Sequence, residues 1–341
     1  MQAIFDPVQM RHDPQNFMAL GALHPSPEQP RRAEVLRAGA EAAGCTFTAP
    51  PDQGLTPIAA IHTPEYLTFL QTIHARWSAL PGAGPEVVPN IHPHARTDTY
   101  PTGPVGQAGY HQSDTGCPIG PQTWASAYGA AQSAIAGADI VAGGARAAYV
   151  LARPPGHHAY ADTAGGFCFL NNSAIAAERL RAAGYRPAIL DVDVHHGNGT
   201  QGIFYSRADI LTVSVHADPS RFYPHFWGYA GERGAGAGLG YNLNLPLTMG
   251  QGDTEFLDAL IHAQTAISNF GADVLVIALG LDASEDDPFQ ALKVTRSGFT
   301  RIGAAIASMG LPMLLVQEGG YLSESLGGNL TAALTGFQEA A

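Results

Sequence analysis

The amino-acid sequence predicts an α/β fold with a mostly parallel β-sheet and helices on both of its faces. Short runs rich in Val, Ile and Leu have the character of buried parallel strands. These runs span residues 147–151, 188–194, 210–215, 273–279 and 313–316. Between them lie longer segments with helical spacing, at residues 124–137, 171–183, 254–270 and 295–309. Glycines sit just past these segments, where left-handed helix caps are common, at Gly137, Gly184, Gly271 and Gly310. This alternation of strands and helices predicts βαβ units.

The composition indicates a globular protein and excludes several functional classes. Of the 341 residues, 45% are hydrophobic and 13% are charged, which is too apolar for a disordered chain. A net charge of -12 argues against a nucleic-acid partner and favours a cationic one. Cys45, Cys117 and Cys168 form no Cys-x-x-Cys pair, so we expect a reducing compartment. We therefore expect a single cytoplasmic domain over residues 1–341, with neither a signal peptide nor a membrane partner.

Two stretches lack regular periodicity. Residues 7–30 are rich in Pro, His and Gln, and residues 80–123 combine Pro and Gly with several histidines and tyrosines. Loops of this length in a compact domain usually serve as lids, binding loops or interface arms, or else are disordered. We favour a functional role for both stretches. Residues 80–123 contain aromatic side chains and histidines that disordered linkers seldom accumulate, namely Tyr100, Tyr110, His92, His94 and His111.

Titratable or hydrogen-bonding side chains lie at or just after the end of each of the five apolar runs. In a parallel sheet, ligands bind outside the carboxyl ends of the strands, so these side chains are expected to meet at one edge. In chain order they are His157, His158, Asp191, Asp193, His195, Asn198, Ser214, His216, Asp282, Glu318 and Tyr321.

The second run carries a pattern that indicates a metal site. Asp191, Asp193 and His195 alternate, and alternating side chains of a strand share one face. Buried carboxylates need a partner, and carboxylates with an imidazole suit zinc or another first-row ion. Asp282 can complete three protein ligands that leave an open position, as in catalytic sites. The alternatives are capping or ion pairing at a strand end for the two aspartates and a hydrogen-bonded core histidine for His195.

Three further residues have side chains suited to acid–base chemistry or oxyanion binding. His157 and His158 follow a stiff Pro-Pro-Gly turn and can supply a base and an acid with different pKa values; a second metal site or ordinary loop histidines remain alternatives. Tyr321 follows a Gly-Gly pair and can donate to a developing oxyanion, although a turn tyrosine would have the same pattern. The Gly-rich segment 232–240 fits neither a dinucleotide fingerprint nor a P-loop.

Taken together, these motifs resemble those of the zinc-dependent histone deacetylase-like amidohydrolases. They are Arg-Pro-Pro-Gly-His-His (153–158), Gly-Gly-Phe-Cys-Phe-Leu-Asn-Asn (165–172), Asp-Val-Asp-Val-His-His-Gly-Asn-Gly-Thr (191–200), Ser-Val-His (214–216), Gly-Leu-Asp with Asp-Asp-Pro (280–288) and Glu-Gly-Gly-Tyr (318–321). Within that family, His-Ala-Asp-Pro (216–219) and residues 223–229 look most like the acetylpolyamine amidohydrolase branch. The resemblance implies an arginase-like three-layer αβα fold with a central sheet of about eight strands.

The resemblance also implies roles for individual residues of the active site. Asp193, His195 and Asp282 match the zinc ligands, and His157 and His158 match the tandem catalytic histidines. The carboxylate that orients the first histidine is matched by Asp191, and the oxyanion-binding phenol by Tyr321. Where some members pair the second histidine with an aspartate, this chain has Asn198. A neutral partner should hold His158 less strongly as an imidazolium, which suits a general base.

The same resemblance extends to the substrate tunnel, a second cation and the assembly. Phe167 and Tyr223 match an aromatic pair that lines a tunnel of acyl-lysine size, and Gly166 lies beside them. A monovalent-cation site, usually for K⁺, is matched by Asp191, Asp193, His195, Ser214 and Val215. His196 and His216 are interpreted as structural. The 7–30 stretch corresponds to an arm that forms homodimers, and 80–123 to an entrance loop.

The predicted reaction is hydrolysis of an N-acetyl amide to acetate and a free amine, with one Zn²⁺ per chain. An acetylated polyamine or a similar small amine is the expected substrate, although Asp114 is the only acidic residue between positions 104 and 121. An acetyl-lysine peptide is the alternative. A ureohydrolase-like enzyme with two metals is disfavoured, because Gly197 and Ser284 stand where bridging carboxylates are needed. An inactive metal-binding partner is also disfavoured, because His157, His158 and Tyr321 are all present.

Overall fold

The computed structural model describes residues 1–94 and 98–341, and it contains an all-parallel sheet of eight strands. Its strands are β1 (Gln2–Ile4), β4 (Thr46–Thr48), β5 (Ala147–Val150), β6 (Pro187–Asp191), β7 (Leu211–Ala217), β8 (Asn242–Leu247), β9 (Val274–Leu279) and β10 (Met313–Gln317). The order across the sheet is β4-β1-β5-β10-β9-β6-β7-β8. A separate antiparallel hairpin consists of β2 (Asn16–Ala19) and β3 (Ala22–Pro25).

The helices cover both faces of the sheet. They are α1 (Pro30–Ala42), α2 (Thr56–Ala59), α3 (Pro64–Ser78), α4 (Pro104–His111), α5 (Thr123–Ala142), α6 (Asn172–Ala182), α7 (Asn198–Phe204), α8 (Asp253–Phe270), α9 (Arg296–Ala307) and α10 (Leu326–Ala340). Short 3₁₀ helices lie at Pro7–Arg11 and Gly236–Gly238.

Two apolar clusters make up the core, one on each face of the sheet. Along β5, Ala148 and Val150 belong to one cluster and Tyr149 to the other, as the alternation of a buried strand requires. Helices α1, α8, α9 and α10 pack in the cluster of Tyr149, and α3, α5 and α6 pack in that of Val150. The three-layer arrangement and the eight parallel strands confirm the predicted fold class.

The five predicted strands all form, but several bounds differ from the prediction. The largest difference is in β6, which ends at Asp191 and not at residue 194. Strands β1, β4 and β8 were not predicted from the apolar runs. Of these, β1 and β4 have only three residues each, and β8 reads Asn-Leu-Asn-Leu-Pro-Leu without a continuous apolar run.

The prediction of a cap at Gly137 is wrong. Helix α5 continues to Ala142, and Gly137 is one of its buried interior residues. A Cβ atom at this position would lie 2.6 Å from Val150 and 2.7 Å from Leu314, so glycine lets the helix approach the sheet closely. Gly184, Gly271 and Gly310 do have positive φ angles, as a left-handed helix end requires.

The two stretches predicted as loops contain regular structure. Residues 7–30 include a 3₁₀ helix and the β2–β3 hairpin, whose turn residues Leu20 and Gly21 have φ angles of 52° and 76°. Within 80–123, helix α4 forms at Pro104–His111, while residues 95–97 lie outside the described part of the chain. These elements are too short for a hydrophobic period to reveal them. In the part of the chain that the structure describes, no helix has both the length and the apolar character needed to span a bilayer.

Candidate active site

Three predicted metal ligands meet at the carboxyl edge of the sheet. Asp193 and His195 follow β6, Asp282 follows β9, and these two strands are neighbours. The Nδ1 atom of His195 lies 3.1 Å from Asp193 Oδ1 and 3.1 Å from Asp282 Oδ2. All three residues are buried, and one ligand atom from each lies within 4.8 Å of the others.

The backbone conformation that places Asp193 and His195 in this cluster differs from the predicted strand. Because β6 ends at Asp191, the alternation of a strand does not extend to the two residues beyond it. The chain instead turns through local hydrogen bonds, in which Asp191 Oδ1 accepts from the Asp193 amide and Asp193 Oδ1 accepts from the His195 amide. The side chain of Asp191 contacts His157, with 2.9 Å between Oδ2 and Nδ1.

The donor set of the cluster fits a divalent cation. Burial raises the pKa of Asp282, and the adjacent charge of Asp193 raises it further. Although burial lowers the pKa of His195, its bonds and charge interactions with the two carboxylates bring it to about 9. The cluster therefore favours positive charge at its centre. Carboxylate oxygens and imidazole nitrogens are both zinc ligands in proteins, and three protein ligands are the number found in catalytic zinc sites.

Backbone amides hold the two carboxylates in place. Asp282 Oδ1 accepts from the Val194 amide at 2.9 Å, and Asp193 Oδ2 accepts from the Gly319 amide at 2.7 Å. A Cβ atom at position 319 would collide with both carboxylates, so this close approach of the backbone requires glycine. The Gly-Gly pair before Tyr321 is thus part of the support of the metal cluster.

The tandem histidines have opposite charge preferences. Burial lowers the pKa of His157, but Asp193 and Asp191 raise it to about 10 overall. Burial lowers the pKa of His158 well below its usual value, and the neighbouring His157 and His195 lower it further. Their ring centroids are 4.0 Å apart, so the two imidazoles share one environment while His157 favours the charged form and His158 the neutral form.

Asn198 orients the neutral histidine. Its Oδ1 atom lies 2.6 Å from His158 Nδ1. An amide oxygen can only accept, so Nδ1 of His158 carries the hydrogen and Nε2 keeps a free lone pair. A histidine in this tautomer can accept a proton through Nε2.

Tyr321 is buried beside the cluster and is held from several sides. Its backbone amide donates to Asp287 Oδ2 at 3.0 Å, and its ring packs against Phe289 with 4.9 Å between centroids. The guanidinium of Arg32 lies 4.7 Å from the centroid of the same ring. Arg32 also donates to the carbonyl of Gly320 at 2.6 Å. These contacts fix both the backbone and the ring of Tyr321.

The sequence did not reveal Arg32 as part of the site. It is buried in α1, where its guanidinium pairs with Glu28 Oε1 at 2.7 Å, and Glu28 also pairs with Arg153 at 2.9 Å. Glu28 and Arg32 are four residues apart, which is the spacing of an ordinary exposed helix pair. No local signal distinguishes this buried ion pair from one in solvent. Asp287 lies within a quoted motif, but its contact with Tyr321 was not foreseen.

Glu318 links the tandem histidines to the Tyr321 segment. Its Oε2 atom accepts from the amides of Gly156 at 2.6 Å and His157 at 3.1 Å, and Oε1 accepts from Ser173 at 2.8 Å. Burial raises the pKa of this carboxyl to about 7. Glu318 also forms, with His157 and Cys168, a second set of three side chains whose ligand atoms lie close together. This set is a poor metal site, because the Glu318 oxygens and His157 Nδ1 already make hydrogen bonds. Burial also raises the pKa of the Cys168 thiol, which disfavours the thiolate that a metal would bind.

A tunnel with a volume of about 260 Å³ leads to the metal cluster. Its lining residues are Phe17, Met18, Ala19, Asp114, Thr115, Gly116, His158, Gly166, Phe167, His195, Phe222, Tyr223, Phe289 and Tyr321. The set includes the predicted Gly166, Phe167 and Tyr223. A Cβ at Gly166 would collide with the ring of His158, and Phe167 has a φ angle of 69°. For a bulky residue, that angle costs about 1–2 kcal/mol.

The hairpin forms an unpredicted wall of this tunnel. The ring of Phe17 packs edge-on against Phe167, with 5.7 Å between centroids, and the hydroxyl of Thr115 donates to the carbonyl of Met18 at 3.0 Å. Another part of the wall is fixed by Asp114, which accepts from the Tyr223 hydroxyl at 2.6 Å and from the Gly166 amide at 3.0 Å.

Three of the five residues matched to a monovalent-cation site lie on adjacent strands, and the other two, Asp193 and His195, follow β6. Asp191 pairs with Ser214 across β6 and β7, and Val215 follows along β7.

His196 and His216 lie outside both ligand clusters described above, with ring centroids 4.7 Å apart, and burial lowers the pKa of each. His216 Nε2 is 2.8 Å from the Gly228 carbonyl.

The positions that would bind a second metal hold no carboxylate. Gly197 is the N-cap residue of α7 and has no side chain. The hydroxyl of Ser284 accepts a hydrogen bond from Asn329 at 2.9 Å. Among the described residues, the cluster of Asp193, His195 and Asp282 is thus the one three-ligand group that suits a metal.

The chain matches a family model and several curated proteins over most or all of its length. The model for the histone deacetylase domain matches residues 26–337. The acetylpolyamine amidohydrolase of Burkholderia pseudomallei is 47% identical over 338 residues, covering 99% of this chain and 98% of that protein. Acetylpolyamine amidohydrolase 1 of Pseudomonas aeruginosa is 42% identical over 346 residues, covering 100% of both chains.

Solved structures have the same fold. A crystal structure of acetylpolyamine aminohydrolase from Burkholderia pseudomallei, after an iodide soak, has a TM-score of 0.96 at 46% identity, covering 100% of this chain and 99% of that chain. The crystal structure of the HDA15 HD domain has a TM-score of 0.81 at 29% identity, covering 98% of this chain and 87% of that chain. The similarity therefore extends through the whole fold.

Proposed function

The chain belongs to the histone deacetylase family, and from that premise we propose that it is a zinc-dependent deacetylase of acetylated polyamines, releasing acetate and a free amine. The observation that carries this proposal is the buried cluster of Asp193, His195 and Asp282 beside His158 and Tyr321, at the end of an aromatic tunnel. A zinc ion bound there supplies a Lewis acid for the amide oxygen and lowers the pKa of a water towards 7.

The protein side chains supply the proton transfers and bind the oxyanion. His158, held with Nδ1 towards Asn198, accepts the proton of the attacking water at Nε2. The hydroxyl of Tyr321 donates to the oxyanion that develops on the amide oxygen. His157, kept charged by Asp193 and Asp191, stabilises the negative charge, and a histidine of the pair protonates the departing amine. The carbon–nitrogen bond then breaks.

Charge and similarity support a polyamine as the substrate. The protein has a net charge of -12, and Asp114 places a carboxylate on the tunnel wall. Its relatives of 41–47% identity are named acetylpolyamine amidohydrolases. Turnover of N-acetylputrescine, N⁸-acetylspermidine and an acetyl-lysine peptide, measured side by side, tests the proposal. We expect the highest kcat/KM for an acetylated polyamine; a higher value for the peptide would contradict it.

Two finer assignments complete the proposal. Asp191, Asp193, His195, Ser214 and Val215 hold a K⁺ ion, mainly through backbone carbonyls. This assignment rests on the motif match and on the pairing of Asp191 with Ser214. A cytoplasmic location is supported by Cys45, Cys117 and Cys168, which are all buried free thiols.

A homodimer is expected in solution. Met18, Leu20 and Leu23 on the hairpin have exposed side chains, which a second copy of the chain would bury. Multi-angle light scattering at micromolar concentration should give twice the mass of the chain. A monomeric mass would contradict this assembly.

Replacing Tyr321 by Phe should reduce kcat by roughly 10²–10³, the effect of losing one oxyanion donor. KM should change little, because the ring contacts with Phe289 and Arg32 remain. Steady-state kinetics on an acetylated polyamine measures both constants. An unchanged kcat in Tyr321→Phe would remove the hydroxyl from the mechanism.

Replacing Asn198 by Asp should shift the pH dependence of the reaction. An anionic partner at Nδ1 raises the pKa of His158, so the proton-accepting form is lost at a higher pH. The acidic limb of the kcat/KM profile should therefore move to higher pH, with a larger loss at pH 6 than at pH 8. Asn269→Asp, an exposed change on α8, is the control for added charge and should leave the profile unaltered.

A further inference from the structure

The peptide unit that joins Gly320 to Tyr321 is held from both sides by buried side chains. Its carbonyl accepts from Arg32 Nε at 2.6 Å, and its N–H donates to Asp287 Oδ2 at 3.0 Å. The carbonyl and the N–H of a trans peptide lie in one plane and point in opposite directions. Rotation of this peptide would therefore break both hydrogen bonds, and together they fix the orientation of the backbone that carries the phenol.

The second oxygen of Asp287 binds the backbone of a neighbouring tunnel residue. Oδ1 accepts from the Phe289 amide at 2.9 Å, and the ring of Phe289 packs against that of Tyr321 with 4.9 Å between centroids. Phe289 and Tyr321 both line the tunnel. One carboxylate thus connects the loop that follows β9 to the loop that follows β10.

A carboxylate at this position is costly for the protein. Asp287 is buried, and among the residues that the structure describes no Lys or Arg forms an ion pair with it. Burial and the nearby charge of Asp282 raise the pKa of Asp287, so its charged form is disfavoured there. An ionised carboxylate, however, offers two acceptor oxygens and no donor. Two converging backbone N–H groups require this combination, and neither an apolar side chain nor an amide provides it.

We propose that Asp287 is a positioning residue, which holds the hydroxyl of Tyr321 where the oxyanion forms. The inference rests on the proposed function, in which that hydroxyl donates to the oxyanion, and it adds the residue that controls the donor. An oxyanion donor is effective only when it is placed at the position that the oxyanion will occupy. Gly320 has a φ angle of 111° and no side chain, so the placement of Tyr321 depends on the contacts of the peptide between them.

The test is a double-mutant cycle of Asp287→Asn and Tyr321→Phe in the full-length, zinc-loaded enzyme. Asparagine has one acceptor oxygen and directs an NH₂ group at the second amide, so it can bind the amide of Phe289 or that of Tyr321 but not both. Asp287→Asn should lower kcat by roughly 10- to 10²-fold, with a smaller change in KM. In the Tyr321→Phe background, which already lacks the hydroxyl, the same substitution should lower kcat by less than about twofold.

Two further measurements separate positioning from a general structural effect. Zinc content should remain one per chain in Asp287→Asn. Asp286→Asn, the same change at the exposed neighbouring position, should leave kcat unaltered. A crystal structure of Asp287→Asn should show the phenol of Tyr321 displaced from its wild-type position, with the three metal ligands in place.

Three results would overturn the proposal. They are an unchanged kcat in Asp287→Asn, a loss of kcat by the same factor in both backgrounds, and a loss of zinc with Tyr321 in its wild-type position. If Asp287→Asn does not fold, Asp287→Glu replaces it in the cycle with the same expected results, because it keeps both acceptor oxygens but moves them by one methylene.

Failure of the proposed function is distinguishable from failure of this inference. The cycle uses whichever acetylated substrate the wild-type enzyme cleaves, so a wrong substrate class leaves the test of Asp287 intact. A wrong role for the hydroxyl appears as an unchanged kcat in Tyr321→Phe alone, and that result overturns the inference as well. A lowered kcat in Tyr321→Phe with equal factors for Asp287→Asn in both backgrounds overturns the inference alone.

Discussion

Removal of the metal by a chelator is expected to abolish turnover, and stoichiometric zinc is expected to restore it. The reason is the composition of the cluster. Asp193, His195 and Asp282 lie buried together, and none of these side chains can itself act as a Lewis acid towards the amide oxygen. Without the cation, nothing in the cluster polarises the acetyl group or activates water. Elemental analysis of the restored enzyme should give one zinc per chain.

A pair of substitutions in one loop separates metal binding from general effects of charge. Asp282→Asn should lower both zinc content and turnover, because it removes a carboxylate whose Oδ2 lies 3.1 Å from His195 Nδ1. Asp286→Asn changes the same charge at an exposed position four residues later and should leave both unaffected. Full turnover by the chelated, metal-free protein would disprove the metal-dependent mechanism.

Replacing His158 by Ala should lower kcat by about 10²–10⁴, the usual contribution of a positioned general base. Zinc content should stay at one per chain, because the three-ligand cluster does not include His158. Steady-state kinetics and elemental analysis on the same preparation make the comparison. His262→Ala, an exposed change on α8, serves as the control. Near-normal turnover in His158→Ala would exclude this histidine as the base.

The sequence predicted the structure well where neighbouring residues determine it. The runs that became β5, β9 and β10 are short, apolar and buried, so their composition alone identifies them. The tandem histidines and the Asp193–His195 pair lie close together in the chain, so a motif reveals them. Pattern analysis failed for β1 and for the hairpin strand β2, because each is short and partly exposed and so shows neither a hydrophobic period nor a buried apolar run.

Other parts of the site depend on contacts between distant residues. Arg32 reaches Gly320 across 288 positions of sequence, and Glu318 reaches Gly156 across 162. The residues around each of these partners show no sequence pattern that would predict the contact. Gly137 shows the same limit: a glycine at a helix end and a glycine required by a neighbouring strand look alike in one sequence.

The β2–β3 hairpin has a consequence for how substrate range can change. It pairs with no strand of the main sheet, yet it supplies Phe17, Met18 and Ala19 to the tunnel. The groups that carry out the reaction follow strands of the main sheet instead. Insertions or substitutions in this hairpin can therefore change the shape of the tunnel wall that it forms, while the metal ligands and catalytic residues stay unchanged. Diversification of amine preference among related enzymes should concentrate in this segment.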